Sequence, residues 1–367
     1  MPRSLRYAAP ALLAFTAVRA LGLAVLVAWS TVVGRDASRL LVRWDAQWYL
    51  DIAERGYGDV RIHPDGRLLS DYAFFPLFPW SERAVAWVFG MPFAEAGLAV
   101  SWLASLGAAW GIFATGDHLY NRRVGVVLAF LWGAVPIGIV ESMAYSEALF
   151  TALAAWSLYS VITRRWLWAG GLAALAGLTR PVGLAVVAAV VVTAAVVLLR
   201  ERQPSWRLVG GALVAPLGWF GYVGWVGIEV GSPFGYFEVA GRWGNGFDGG
   251  IAFARWTWGL LSGSSFLPGV LVCLGLALLG WAFLLCVRQR QPVPLLIFCG
   301  VLVFAALTTS GYFGSKPRYL LPAFPLLLPA AVALSRLPVR RLAPFLALLA
   351  AGSAAYGAFW LHGPGPP

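Results

Sequence analysis

Apolar runs of about twenty residues, the length a helix needs to cross a bilayer, recur from residue 8 to residue 360 of this 367-residue chain. Lipid then fixes the fold class. With no water in the hydrocarbon core, backbone polar groups must be satisfied within helices. Apolar residues make up 60% of the chain and charged ones 12%, and the mean hydropathy of +0.76 excludes a soluble domain. The spacing predicts spans at 8–33, 94–115, 124–140, 147–162, 166–178, 182–199, 207–228, 258–287, 292–309, 319–334 and 342–360. This is an all-α polytopic membrane protein with about eleven transmembrane helices in one domain, 1–367. A short amphipathic piece at 81–90 precedes the second span, and the HGPGPP tail, 362–367, is expected to fray into disorder.

Arg3 and Arg6 precede the first run as they would in a signal sequence, but the run is too long and lacks a small-residue cleavage site. It is therefore read as an uncleaved span. Arg19 lies in its middle, where a charge costs about 2.5 kcal/mol or more unless it faces protein. It is expected to point into the bundle, as a structural pair, a helix-end contact or a functional group.

The net charge of +11 would point to nucleic acid in a soluble protein. Here it sets topology, and no nucleic-acid partner is expected. Segments 1–7, 117–123, 163–166, 200–207, 288–291 and 335–341 carry fourteen arginines against Asp117 and Glu201 alone. Cytoplasmic loops are enriched in basic residues, so the N-terminus is placed in the cytoplasm and the two longer polar loops, about 34–80 and 229–255, on the extracytoplasmic face. Cys273, Cys286 and Cys299 are too far apart for a disulfide framework or a CxxC site, and the three histidines support no HExxH or Ser/His hydrolase.

The first loop concentrates the chemistry. It reads RWDAQWYLDIAERGY at 43–57 and YAFFPLFPW at 72–80, with Asp45, Asp51, Glu54, Asp59, Asp65 and Asp71 among aromatic residues. Asp36 or Ser38 is expected to cap a helix running through Arg55, with Gly56 as its stop. On that helix Trp44, Trp48 and Arg55 share one face, and Asp45, Tyr49 and Ile52 a neighbouring one. An amphipathic helix with tryptophans belongs on the membrane surface, which puts Asp45 at the headgroup boundary. There a carboxylate can take a proton from an acceptor hydroxyl. The alternative is that Asp45 pairs with Arg43 or caps a turn. The prolines in 74–79 oppose a regular helix, leaving either a re-entrant segment lining a lipid-tail groove or a rigid turn into the next helix.

Glu147 at the mouth of a span, Arg180 at a hairpin, and Lys316 and Arg318 where a late span begins share the outer face. Arginine can fork onto a lipid phosphate and lysine can meet it as a point charge; the alternative is headgroup snorkelling. The GNGFDGG stretch, 244–250, follows no strand and is a weak nucleotide cradle. A loop closing over an acceptor fits it better. SGSS at 262–265 reads as helix-packing small residues.

Together RWDAQWYLDIAERGY, YAFFPLFP, YSEALF, TRPVG and KPRYLLPAFP resemble the bacterial branch of the PIG-V family, relatives of GPI mannosyltransferase II within the GT-C glycosyltransferases, over residues 43–325. The resemblance implies a GT-C bundle that moves mannose, with inversion, from polyprenyl-phosphate mannose to a hydroxyl of an envelope acceptor on the outer face. It implies Asp45 as the base, Arg180, Lys316 and Arg318 at the donor phosphate, and Arg43, Trp44, Trp48, Tyr57, Phe75 and Glu147 as substrate contacts. No cofactor is expected. The donor already carries its leaving group, so no metal is required. The acceptor is left as a glycolipid, a polysaccharide or a protein, and the sugar as mannose or another polyprenyl-linked sugar. A transporter or flippase and a non-catalytic accessory subunit are the rival readings. Against transport, the acids crowd the outer loops instead of the bilayer midplane.

Overall fold

The computed structural model describes residues 5–202 and 204–366; Arg3, one of the expected inner-side arginines, lies outside them, as does Pro367. The chain begins with α1, Leu5–Val33, followed by two helices of the first polar loop, α2, Ala37–Leu40, and α3, Asp45–Arg55. A two-stranded antiparallel hairpin, β1 Val60–Ile62 and β2 Leu68–Ser70, comes next. Then come α4, Leu77–Phe89, α5, Phe93–Leu119, α6, Arg122–Gly133, α7, Glu147–Ile162, α8, Trp166–Gly177, and α9, Leu184–Glu201. The second half contains α10, Trp206–Val214, α11, Leu217–Val230, α12, Gly235–Arg242, α13, Ile251–Ser262, α14, Phe266–Arg288, α15, Val293–Thr308, α16, Lys316–Tyr319, α17, Leu328–Ser335, and α18, Val339–His362.

Among the described residues six stretches are long and apolar enough to cross a membrane, namely Leu5–Val33, Phe93–Leu119, Pro181–Glu201, Trp206–Val230, Phe266–Arg288 and Val339–His362. Two of the expected spans are broken. Arg122–Gly133 continues into the 3-10 turn Pro136–Ser142 at 85°, and Phe313–Tyr319 into Phe324–Ser335 at 77°. Glu147–Ile162, Trp166–Gly177 and Val293–Thr308 are shorter apolar helices. This is a multi-pass helical membrane protein. Its main core joins α1, α5, α6, α7, α8, α9 and α15. Small residues let α8, α10 and α11 meet backbone to backbone: a Cβ on Gly218 would lie 1.9 Å from the Ala174 carbonyl oxygen.

Arg19 explains the first break. Its guanidinium donates to the Gly133 carbonyl at 2.6 Å and to the Gly138 carbonyl, and its Nε lies 3.7 Å from Glu141. These bonds satisfy carbonyls that the interrupted ladder frees. Pro136 cannot continue that ladder, and a Cβ at Gly138 would meet the Gly133 carbonyl at 2.8 Å. The bent segment leads directly to Tyr145, Ser146 and Glu147. At the second break, Pro322, Pro325 and Pro329 have the same effect, and the Trp132 indole donates to the Leu321 carbonyl at 3.0 Å, tying the two bent segments together.

The first polar loop departs from the single helix expected there. Asp36 does cap a helix, accepting from the Ser38 N–H at 2.9 Å. That helix ends at Leu40, and a new one starts at Asp45 after Trp44 takes φ +56°. A bulky residue in that region stores strain of order 1–3 kcal/mol, and it removes Trp44 from the helical face it was expected to share with Trp48. Nor does α3 lie on lipid: Trp48, Tyr49 and Ile52 are buried against Phe74 and Phe78. Of the two readings of 74–79, the structure has the rigid turn, confined to Phe74–Pro76: α4 already begins at Leu77, whose N–H donates to the Leu178 carbonyl at 2.9 Å, and Phe75 and Phe78 are buried. The glycine-rich 244–250 stretch is pinned: Ser310 Oγ donates to the Gly244 carbonyl at 2.7 Å, and Asp248 accepts from the Gly250 and Ala252 N–H groups. At the chain end, the Pro366 carbonyl accepts from Trp360 at 3.2 Å, so the tail turns back on α18.

Glu82 on α4 is 1% exposed and packs against Gly97, and its Oε2 has no hydrogen-bond partner among the described residues. Burial pushes its carboxyl from 4.5 up to about 8. Between those values the folded chain holds a proton that the unfolded chain releases. The stabilisation is full below 4.5 and is lost as pH rises toward 8. Glu82→Gln should flatten the fall in thermal stability between pH 5 and 8 and gain up to about 4 kcal/mol over wild type at pH 8. Equal pH slopes for the two proteins would refute a buried neutral carboxyl.

Candidate active site

Four charged side chains from four distant segments meet where α3, α7, the 180 hairpin and α16 converge. Arg318 Nη1 donates to Asp45 Oδ2 at 2.7 Å, and its Nε lies 3.3 Å from Glu147 Oε1. Arg180 Nη1 lies 2.5 Å from the same Glu147 oxygen and donates to Ser146 Oγ at 3.1 Å. Two carboxylates and two guanidiniums balance, which is what allows such a group to be buried at all.

The local backbone explains the convergence. The turn at Trp44 aims the Asp45 N–H at Tyr145 Oη, 3.3 Å away, while Tyr145 itself donates to the Arg43 carbonyl. The Ala144 N–H donates to the Leu41 carbonyl, and Ser101 donates to the Tyr145 carbonyl, so the 142–147 connection is stitched to the first polar loop and to α5. Tyr49 Oη and Ser146 Oγ share a hydrogen bond of 2.8 Å. Burial pushes the phenols of Tyr49 and Tyr145 above their ordinary range, so both remain neutral hydroxyls.

Exposure separates the roles open to these groups. The side chains of Glu147 and Arg318 are 1% and 6% exposed, and that of Asp45 is 24% exposed. Asp45 alone among the four carboxylate and guanidinium groups has substantial access to solvent, and it borders an open cleft of about 410 Å³ whose walls include Trp44, Trp48, Arg61, His63 and Trp243.

Of the residues singled out from sequence, the structure brings together Asp45, Glu147, Arg180 and Arg318. Arg43 stands beside them, with its guanidinium 4.1 Å from the Trp44 ring centroid and donating to the Leu361 carbonyl. Lys316 is not in the cluster. Two residues before Arg318 on a short helix it faces another way, donating to the Thr309 carbonyl near the Phe253 and Phe313 rings. Tyr57 donates to the Phe74 carbonyl and stacks on Tyr72. Phe75 is 1% exposed and closed in by Tyr222 and Tyr236, away from the cleft. Asp51 pairs with Arg55 and Arg61. Tyr49, Tyr145, Ser146 and Trp243 were not anticipated. Tyr145 and Ser146 adjoin Glu147 in the YSE motif, but only a fold can give Tyr49 and Trp243 their neighbours.

Several solved structures share this arrangement of helices. ArnT from Cupriavidus metallidurans bound to undecaprenyl phosphate superposes with a TM-score of 0.50 and 17% identity, over 82% of this chain and 57% of that one. The same protein in the apo state gives 0.52 and 19%, over 87% and 60%. The fold is the GT-C fold. The archaeal oligosaccharyltransferase AglB from Archaeoglobus fulgidus, in complex with an inhibitory peptide and a dolichol-phosphate, gives 0.50 and 13%, over 96% of this chain and 56% of that one. This chain thus spans less than two thirds of the length of either GT-C protein. No family model matches the sequence, and no curated protein matches it.

The shared Glu147 oxygen makes the cluster cooperative. Glu147→Gln leaves two buried arginines with one carboxylate and should cost about 3–5 kcal/mol of stability. In a double-mutant cycle with Arg180→Gln, unfolding in detergent should reveal a coupling of about 1–3 kcal/mol. Strictly additive effects would contradict the shared contact.

Proposed function

We propose that this protein is an inverting glycosyltransferase that moves a sugar, mannose in the first instance, from a polyprenyl-phosphate donor to a hydroxyl of an envelope acceptor. The observation that carries this reading is the placement of Asp45: a half-open carboxylate on a cleft, backed by a buried pair of arginines, in a GT-C fold. The ligands bound to ArnT and AglB in those structures, undecaprenyl phosphate and dolichol-phosphate, support a lipid phosphate as the donor's anchor. The resemblance of the 43–325 motifs to PIG-V relatives supports mannose.

In this mechanism the acceptor oxygen attacks the anomeric carbon from the face opposite the phosphate. The bond from that carbon to the phosphate oxygen breaks, and Asp45 takes the hydroxyl proton. The polyprenyl phosphate departs with the electron pair, and its charge is met by Arg318 and Arg180, preorganised and shielded from water. Glu147 holds both arginines in place and so positions the leaving-group site. Tyr145, bonded by the Asp45 N–H, fixes the start of α3 and with it the direction of the carboxylate.

Membrane sidedness follows from charge. Arg122 donates to the Tyr7 carbonyl and Arg123 to the Leu337 carbonyl at the helix ends opposite Asp45. By the enrichment of basic residues in cytoplasmic loops, the N-terminus is cytoplasmic and the site extracytoplasmic.

The test is transfer of labelled mannose from synthetic polyprenyl-phosphate mannose into a native envelope extract by the protein in lipid nanodiscs. Wild type should form a labelled product, and Asp45→Asn, folded to the same thermal midpoint, should be slower by about 10²–10⁴-fold. Activity of the variant within a few-fold of wild type would remove Asp45 as the base.

A further inference from the structure

We propose that the cleft beside Asp45 is the acceptor site, that it takes a saccharide and not a polypeptide or a lipid hydroxyl, and that Trp243 is the residue that selects it. This rests on the transferase reading of Asp45 and names the acceptor class for that site.

The cleft is walled by indoles contributed from two separate outer loops. Trp44 and Trp48 bracket Asp45 in the first loop, and Trp243, just beyond α12, arrives from the second. Trp243 is held in place: its indole N–H donates to the Ser70 carbonyl at 2.9 Å, and its ring meets the Trp48 and Phe74 rings edge to face at 5.1 and 5.3 Å. It therefore presents a fixed aromatic surface instead of a flexible flap. Trp44 and Trp243 are only half-buried, so both keep ring area open to the cleft.

Sugar rings suit such walls. A pyranose has an apolar face of polarised C–H groups that lies well on the negative face of an indole, and hydroxyls around its edge that need donors and acceptors. The cleft supplies both. Arg61 lies over the Trp48 ring with its guanidinium 4.1 Å from the centroid, and His63 stands beside it, paired with Asp65 at 2.8 Å. A volume of about 410 Å³ falls within the range of small-ligand sites and accommodates a short oligosaccharide. A polypeptide would need partners for its backbone N–H and C=O groups along its length, and this cleft is lined by tryptophan, isoleucine, leucine and proline side chains, with ionisable ones at Asp45, Arg61 and His63. The acceptor hydroxyl is then delivered to Asp45 from the indole side, and the donor phosphate from the arginine side.

The experiment is saturation-transfer NMR on the full chain in nanodiscs, with mannobiose, cellobiose, chitobiose and a Ser/Thr-containing hexapeptide as probes. At least one disaccharide should receive saturation on its ring protons from wild type. Trp243→Ala should weaken that binding by about tenfold or more, and Trp243→Phe, which keeps a ring and loses the N–H, should hold it within about threefold. Undecaprenyl phosphate binding should be the same in all three proteins, showing that the fold and the donor side are intact. A hexapeptide signal without any disaccharide signal, or disaccharide binding indifferent to Trp243→Ala, would overturn the proposal. The two readings fail separately. Transfer to peptide hydroxyls would keep the transferase and remove the saccharide site, whereas disaccharide binding that needs Trp243 in a protein that transfers no sugar would keep the site and remove the transferase.

Discussion

The buried contact of Arg318 with Asp45 and Glu147 is the constraint on which the half of the molecule around the first polar loop depends. An ionised side chain in a low-dielectric surrounding is tolerable only when paired, and here each partner comes from a different part of the chain. Bringing α16 to α3 and α7 requires helices that stop short of a full membrane crossing. The Arg19 clamp at Gly133 and Gly138 interrupts one, and the proline-rich 322–329 stretch interrupts another. The strained turn at Trp44 is the third adjustment, and it aims Asp45. Irregular backbone at membrane depth is tolerated where protein covers it, and these segments are covered.

Charge balance in the cluster has a consequence for ligand binding. Arg180 and Arg318 are already matched by Asp45 and Glu147, so a phosphate arriving there adds net negative charge unless Asp45 takes up a proton. In the proposed reaction it does, from the acceptor. The arginines meet the leaving phosphate, which gains one negative charge on becoming a monoester, as the Asp45 carboxylate loses one, so the total charge stays that of the donor complex. Glu82, buried on α4 against Gly97, is a separate titrating group whose effect falls on stability.

The membrane class and the apolar runs were legible in the sequence because lipid imposes a length and composition that soluble folding does not. Asp45, Glu147, Arg180 and Arg318 were legible as unusual charges at helix mouths. Their mutual pairing was not, since the sequence separation between Asp45 and Arg318 carries no local signal. Helix continuity was read too generously at 36–55, where side-chain periodicity persists across Trp44 while the backbone turns. The same happened at 124–140, where Pro136 could have warned of the bend, but the Arg19 bonds that hold it are long-range. Lys316 looked equivalent to Arg318 by depth, yet two residues on a helical turn point to opposite sides. Trp243 lay in a loop with no recognisable pattern, and its meaning arises only when α12 folds against the hairpin.

The central claim is that the arginine pair behind Asp45 receives a lipid phosphate. It is tested most directly by a cryo-EM structure of the protein in nanodiscs with undecaprenyl phosphate. The account predicts phosphate density within hydrogen-bond reach of the Arg318 guanidinium, with Arg180 next to it and Asp45 turned toward the tryptophan-walled cleft. Phosphate seated away from both arginines, with the Asp45–Arg318 contact undisturbed, would contradict it.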